Sequence, residues 1–331
     1  MSGGLFGVGL AGPALGESER QILAAHPPRG VILFRRNIED EQRLARLIEE
    51  LRELRVRHLF LDQEGGPVDR LRELVGPTPS LQRTAGAGTA RRAGSAVGAM
   101  LAKLGFDVDL APVVDRAVEG GGALVLGERS ASASPDEVVR AAGDFLDGLH
   151  SQGVGGCLKH FPGLGRAALD THRLLPVVPG DTIEDELDLA PFRALMERAR
   201  AVMVSHAAGA DGAPASLSPK IATALLRGRL GFTGAAFSDD LEMGALAAFG
   251  DLPARCASAA AAGCDLLFVC RQIETYPACV EAVELSVPRA RRDEAAARLD
   301  AYGAHVAALR RAAGEPGISF AAIRAELRSL A

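Results

Sequence analysis

Three features of the sequence predict an α/β fold, and within that class a single TIM-like (β/α)8 barrel over residues 1–331 with helices at its C-terminal end. Short apolar runs suited to buried parallel strands recur along the chain, and each is followed by residues at helical spacing. About eight such runs can be counted, which is the number a closed barrel requires. Polar residues (Asp62, Lys159, His160, His206 and Asp239) stand just after apolar runs, at the strand ends where such barrels carry their chemistry.

Leu5–Leu10 reads as the first strand. Gly30–Phe34 is the second, and in Asp40–Leu54 the residues Leu44, Leu47, Ile48 and Leu51 recur at helical spacing. His58–Leu61 is the third strand, and the Ala-rich stretch Ala90–Leu104 is helical. Val108–Val114 is the fourth strand. Ser134, Pro135 and Glu137 form a helix start, with the helix running to about Ser151. Gly155–Leu158, Ala201–Ser205, Gly234–Ser238 and Asp265–Cys270 complete the strands. Helices are expected over Pro191–Arg198, from Ser218 toward Leu230, and over Pro253–Ala262, Ile273–Glu284, Pro288–Ala313 and Phe320–Leu330. A doubly wound open sheet is the alternative fold. It would draw on the G-x-G-x-x-G spacing of Gly7–Gly12, but two of these glycines lie inside the apolar run, and Pro13 and Gly16 are expected to interrupt any following helix.

Hydrophobic residues make up 48 % of the chain, enough for a large core, while aromatics are 4 % with no Trp, so Ala, Leu and Val must build it. The net charge of −5, with acids and bases mixed throughout, argues against nucleic acid or an anionic membrane as partner. Cys157, Cys256, Cys264, Cys270 and Cys279 form no C-x-x-C pair and lie mostly in apolar surroundings, so buried thiols are expected, without a disulfide framework or zinc site. The N-terminal apolar stretch is short, Gly-rich and preceded by no base, unlike an export signal, and no run approaches the ~18 apolar residues of a membrane span. The expectation is a cytoplasmic monomer without cofactor or metal, acting on a small molecule.

The loop Lys159–Pro176 carries Lys159 and His160, a turn at Pro162–Gly165, and then Asp170 and His172 two residues apart. A carboxylate beside a histidine sets the imidazole tautomer and raises its pKa, making a proton donor near neutral pH, although D-x-H taken alone favours solvated surface residues. In Phe237–Met243, Asp239 and Asp240 follow a buried strand. Consecutive strand side chains point opposite ways, so one acid is expected at the barrel mouth and the other as a helix cap, with either role open to either acid. Asp62 in LDQEGG could accept from sugar hydroxyls or pair with Arg70 or Arg72, and Arg129 in GERS is a further donor or a surface arginine. His206 reads as a supporting residue. His26, His58, His150 and His305 read as structural or exposed. No metal-ligand spacing and no G-x-S-x-G motif occurs, which leaves nucleophilic displacement assisted by a general acid, as in a retaining glycosidase.

The segments GVILFRRNI (30–38), LDQEGG (61–66), DLAPVVD (109–115), GERS (127–130), KHFPG…DTH…LP (159–176), SLSPKIATALLRGRLGF (216–232), FSDDLEM (237–243) and AGCDLLFVC (262–270) together resemble the glycoside hydrolase family 3 β-N-acetylhexosaminidases of the NagZ type, enzymes of peptidoglycan recycling. The resemblance implies a TIM-like barrel. It also implies Asp239 as nucleophile forming a covalent glycosyl-enzyme, His172 as general acid/base, and Asp170 as the acid that orients it. Asp62, Arg70, Arg129, Lys159 and His160 would hold the N-acetylglucosamine unit, and Asp240 would be structural. The chain departs from the family pattern at Leu164, where the family often has His, at Gly66–Pro67–Val68, where it often reads GGRV so that one basic group is missing here, and over Glu119–Leu126. These departures bear on aglycone preference. The function so implied is exo-β-N-acetylglucosaminidase action on muropeptide fragments. A family 3 β-glucosidase, a phosphorylase and a non-catalytic sugar-binding barrel are the alternatives.

Overall fold

The computed structural model of the protein describes residues 2–118, 126–166, 185–208, 212–314 and 317–330. Its strands are β1 (Phe6–Gly9), β2 (Gly30–Leu33), β3 (His58–Leu61), β4 (Gln63–Gly65), β5 (Val68–Asp69), β6 (Val108–Asp109), β7 (Leu158–Phe161), β8 (Ala201–Val204), β9 (Ala235–Asp240) and β10 (Leu266–Val269). β4 and β5 pair as a small antiparallel hairpin, and the others form one 8-stranded parallel sheet in the order β6-β3-β2-β1-β10-β9-β8-β7. Backbone hydrogen bonds join the two ends of this order. Asp109 N donates to Gly155 O, Cys157 N to Ala111 O and Val114 N to Lys159 O, each at 2.9 Å. The sheet therefore curls into the expected barrel. Pro112 has no N–H to give, so regular pairing in the fourth barrel strand stops at Asp109 rather than running to Val114.

Helices Glu17–Ala25, Glu41–Glu53, Ala90–Leu104, Pro135–His150, Glu186–Ala199, Lys220–Arg229, Leu252–Ala262 and Tyr276–Ser286 fall between or after the strands, followed by Arg289–Ala313 and Phe320–Leu330. In Glu41–Glu53 the side chains at helical spacing, Leu44, Leu47, Ile48 and Leu51, are the buried ones, and Asp40 caps the helix by accepting from Arg43 N at 2.8 Å. Ser134 does sit at the start of Pro135–His150, but its hydroxyl makes no cap, and Glu137 instead takes a hydrogen bond from Ser132.

The helix Glu17–Ala25 corrects the expectation that Pro13 and Gly16 would prevent one: it begins directly after Gly16. The Glu19 carboxylate accepts from Ala11 N and Gly16 N, both at 2.8 Å. A protein carboxylate thus fills the backbone nest in which a nucleotide fold would hold phosphate.

The scarce aromatics are spent on the barrel axis. Phe60, Phe237 and Phe268, from β3, β9 and β10, meet edge to face with ring centroids 5.5–6.0 Å apart. Gly7 on β1 makes room for them, since a Cβ there would lie 2.4 Å from the Phe268 ring. At the strands' N-terminal ends, buried acids staple the helices to the barrel. Asp265 accepts from Arg227 at 2.6 Å and Arg291 at 2.8 Å, and Asp107 from Arg52 at 2.6 Å and Arg310 at 2.8 Å. All five cysteines are buried. Among the described residues no helix is long and apolar enough to cross a membrane.

Candidate active site

A cavity of about 240 Å³ opens at the C-terminal ends of the strands, and Asp62, Arg70, Arg129, Lys159, His160 and Asp239 all line it. It is smaller than the ~300–1,000 Å³ of drug-sized sites and suits one sugar ring. A larger groove of about 1270 Å³ lies at the opposite end of the barrel, beside Pro27–Arg29 and Arg55, and contains none of these residues. Asp170 and His172 lie outside the described residues.

Lys159 and His160 were expected beyond the end of a strand, but they lie inside β7, which runs past Leu158 to Phe161. Charged side chains can continue a buried strand only where partners meet them. Lys159, 2 % exposed, has its Nζ 2.6 Å from Asp62 Oδ1 and 2.5 Å from Glu64 Oε1. Burial works against its charge, but these two carboxylates more than restore it and hold its pKa above the ordinary value. Glu64 sits two residues after Asp62 and has Arg129 clamped on its carboxylate through Nε at 2.7 Å and Nη2 at 2.9 Å. Burial alone would push Glu64 up, yet Arg129 and Lys159 hold it well below the usual carboxylate range. Arg129 is therefore no surface arginine: its side chain is 13 % exposed.

Arg129 Nη2 also donates to His160 Nε2 at 3.1 Å, and His160 Nδ1 faces Asp115 Oδ2 at 2.7 Å. Because a guanidinium only donates, the network assigns the proton to Nδ1 and makes Nε2 an acceptor. Asp115 also accepts from the backbone N–H of His160 and of Leu164. Arg70 stands at the rim, 4.0 Å from Asp62, with its buried Nε lacking a hydrogen-bond partner among the described residues.

The two adjacent acids also differ from expectation. Asp239 and Asp240 belong to β9 rather than following it, and both line the cavity. The cause is a register slip: Leu266 pairs with Phe237, but Phe268 pairs with Asp240, so β9 carries one extra residue here. A bulge of this kind breaks the alternation of side chains. Burial pushes the Asp239 carboxyl up, but the Asp240 amide that donates to it and the nearby Lys159 ammonium pull the other way, and its pKa falls below the ordinary value. Asp240 is pushed up to about 6, first by burial, with Glu242 and Asp239 adding to the rise. Its carboxylate accepts from Glu242 N at 3.0 Å, which is a turn cap. His206 is fully buried behind the two acids and does not line the cavity.

Three ion pairs gather where the segment that bears Asp170 and His172 leaves and rejoins the described residues. Arg166 binds Asp185 at 2.6 Å and Asp188 at 3.1 Å, and Arg116 binds Asp188 at 2.7 Å.

Glu64, which lines the cavity, and Asp115, buried behind it on His160, are the important site residues that sequence reasoning passed over. Both lie inside motifs it had singled out, and the period of two along an extended chain places Glu64 on the side of Asp62.

Comparison with known proteins follows the same direction. The glycosyl hydrolase family 3 N-terminal domain matches residues 8–301. A beta-hexosaminidase of Methylococcus capsulatus is 38 % identical over 287 residues, which cover 83 % of this chain and 85 % of that one. A glycoside hydrolase family 3 beta-N-acetylglucosaminidase from Paenibacillus sp. superposes with a TM-score of 0.89 at 29 % identity, over 99 % of this chain and 67 % of that one. NagZ from Neisseria gonorrhoeae, in complex with N-trifluoroacetyl-D-glucosamine, superposes with a TM-score of 0.82 at 30 % identity, over 99 % and 98 %.

Proposed function

Since the chain belongs to glycosyl hydrolase family 3 and is a glycoside hydrolase, we propose that it is a retaining exo-β-N-acetylglucosaminidase that releases terminal GlcNAc from muropeptide fragments in the cytoplasm. One observation carries the reading. A half-buried carboxylate, Asp239, whose pKa its surroundings lower, shares a single-sugar cavity with the paired groups of Asp62, Glu64, Arg129 and Lys159.

In this reading Asp239 attacks the anomeric carbon. The bond from that carbon to the aglycone oxygen breaks as the bond to the carboxylate forms, and His172 gives its proton to the departing oxygen. His172 then takes a proton from water, which displaces Asp239 and leaves the product with retained configuration. Asp170 holds His172 in the tautomer this exchange needs. Asp62, Lys159, Arg129 and His160 present acceptors and donors to the sugar hydroxyls, and Arg70 adds a cationic donor at the rim. The names of the relatives, a beta-hexosaminidase and beta-N-acetylglucosaminidases, support an N-acetylated sugar over glucose.

The test is trapping with 5-fluoro-N-acetylglucosaminyl fluoride, whose ring fluorine slows both steps while its good leaving group, fluoride, restores the first, so that the glycosyl-enzyme accumulates. Peptide mapping is expected to find the sugar esterified to Asp239. A label on any other residue, or none alongside measured turnover, overturns the proposal.

A further inference from the structure

We infer that His206 and Ser216 are positioning residues for Asp239: with the main chain of Asp240 they form one hydrogen-bonded relay that fixes which carboxylate oxygen is free to react. The inference rests on the reading of Asp239 as nucleophile.

The geometry starts at the register slip in β9. Because the pairing jumps between Phe237 and Asp240, local backbone groups take side-chain partners instead of ladder partners. Phe268 N donates to Ser238 Oγ at 3.0 Å, and the Asp240 carbonyl lies 2.8 Å from His206 Nε2. A carbonyl only accepts, so Nε2 carries the hydrogen. Nδ1 must then accept, and it lies 2.7 Å from Ser216 Oγ, which donates to it. His206 and Ser216 are both fully buried, so water cannot substitute for either partner. Burial also pushes the His206 pKa down, although Asp239 and the Asp240 carbonyl pull the other way, and the neutral ring is the form this arrangement needs.

The far end of the relay touches the reacting group. Asp240 N donates to Asp239 Oδ1 at 2.8 Å. With the Asp240 carbonyl pinned by His206, the residue that grips Oδ1 cannot turn, and Oδ2 is left to face the sugar. Ser216 holds the imidazole in the required tautomer. Without it the ring can flip its proton to Nδ1 and turn a lone pair toward the Asp240 carbonyl.

Three variants test this: His206→Leu, which has no donor, His206→Gln, whose amide reaches about as far as Nε2, and Ser216→Ala. Each is measured as kcat/KM for an aryl β-N-acetylglucosaminide across pH, per active site counted by fluoro-sugar trapping. A lost orienting donor costs on the order of 10²-fold. His206→Leu is therefore expected to lose about 100-fold, Ser216→Ala about 10-fold, and His206→Gln to recover most of the loss. In the leucine and alanine variants the acid limb of the profile, which reports ionisation of the nucleophile, moves to higher pH. A merely space-filling role predicts equal losses for Leu and Gln and an unmoved acid limb, and that result overturns the relay. If His206→Leu does not fold, the comparison of Ser216→Ala with the wild type decides: unchanged kcat/KM and acid limb refute the inference. Asp239→Ala separates the two readings, because retained activity there refutes the nucleophile itself, whereas its loss together with an inert Ser216→Ala refutes the relay alone.

Discussion

Arg166 holds Asp185 at 2.6 Å across the segment 167–184, so the two ends of the stretch bearing Asp170 and His172 are tied together at the rim of the barrel. The tie has an exposed part and a buried part. Arg166 is 29 % exposed, whereas Arg116 and Asp188 are 8 % and 7 % exposed. Exposed pairs contribute about 0–1 kcal/mol, and breaking a buried pair costs about 3–5 kcal/mol. If His172 acts as proposed, Arg166→Ala is expected to leave the melting temperature nearly unchanged while lowering kcat about tenfold. Asp188→Ala strands Arg116 without its partner and is expected to lose about 3–5 kcal/mol in denaturant unfolding. Arg166→Ala with full kcat would show that the tie does not serve the acid/base.

Glu64 neutralises both Arg129 and Lys159 while being almost fully buried itself. Glu64→Gln keeps the shape and removes the charge. Lys159 then keeps Asp62 as its ion-pair partner, while Arg129 loses the carboxylate that clamps it. Destabilisation of about 3–5 kcal/mol is expected, together with a rise in KM for the sugar, because Lys159 and Arg129 lose their fixed orientation. Calorimetric unfolding and steady-state kinetics of the same preparation check both effects. A variant as stable as wild type would mean that the charge is met from elsewhere.

How far the site was legible in the sequence follows from the same residues. The barrel was legible because parallel strands buried on both faces must be continuous apolar runs, and Leu59–Leu61, Val202–Val204 and Leu266–Val269 are such runs. The strand ends were not legible wherever burial of charge depends on distant partners. Hydropathy stops at Leu158, but β7 continues because Asp62, Glu64 and Asp115, far away in sequence, receive Lys159 and His160. The shared placement of Asp239 and Asp240 depends on a bulge, which has no sequence signature. Gly16 was read as a helix breaker although it stands directly before the first turn, where a glycine costs little.

Asp109 is a buried acid of a different kind. Gln63 N donates to its Oδ1 at 2.9 Å, but Oδ2 has no partner among the described residues. Burial raises its pKa well above the ordinary value, against the pull of Gln63 N and Lys159. The folded state therefore holds a proton that the unfolded state releases above its own pKa near 4. The sign follows: the stability that Asp109 contributes is fully present below about pH 4 and is lost as pH rises toward the raised folded value. Asp109→Asn keeps the neutral shape and is expected to flatten that decline, so the variant gains on the wild type as pH increases. Parallel declines for the two proteins would show that Asp109 is ionised in the fold.

His58 and His150 set the opposite trend. Burial lowers both to about 4, aided for His58 by Arg29, Arg52 and Arg57 against Asp107, and for His150 by His305 and Arg198 against Asp147. The unfolded chain takes up these protons near pH 6.5, before the folded one does. The stability contributed by each neutral ring is thus fully present above about pH 6.5 and is lost as pH falls through about 4. It amounts to about 3 kcal/mol per ring as an upper figure, since each pKa unit is 1.36 kcal/mol. The His150 ring packs edge to face on His305 with centroids 5.5 Å apart, and the buried Nε2 of each lacks a partner among the described residues, so a proton on either one meets no acceptor. His150→Phe keeps the aromatic contact and removes the titration. Its unfolding free energy is expected to match or exceed that of the wild type at pH 5, with a smaller difference at pH 7.5. If the two proteins lose stability in parallel between those pH values, His150 is not a source of the acid sensitivity, and His58 with the surface carboxylates must account for it.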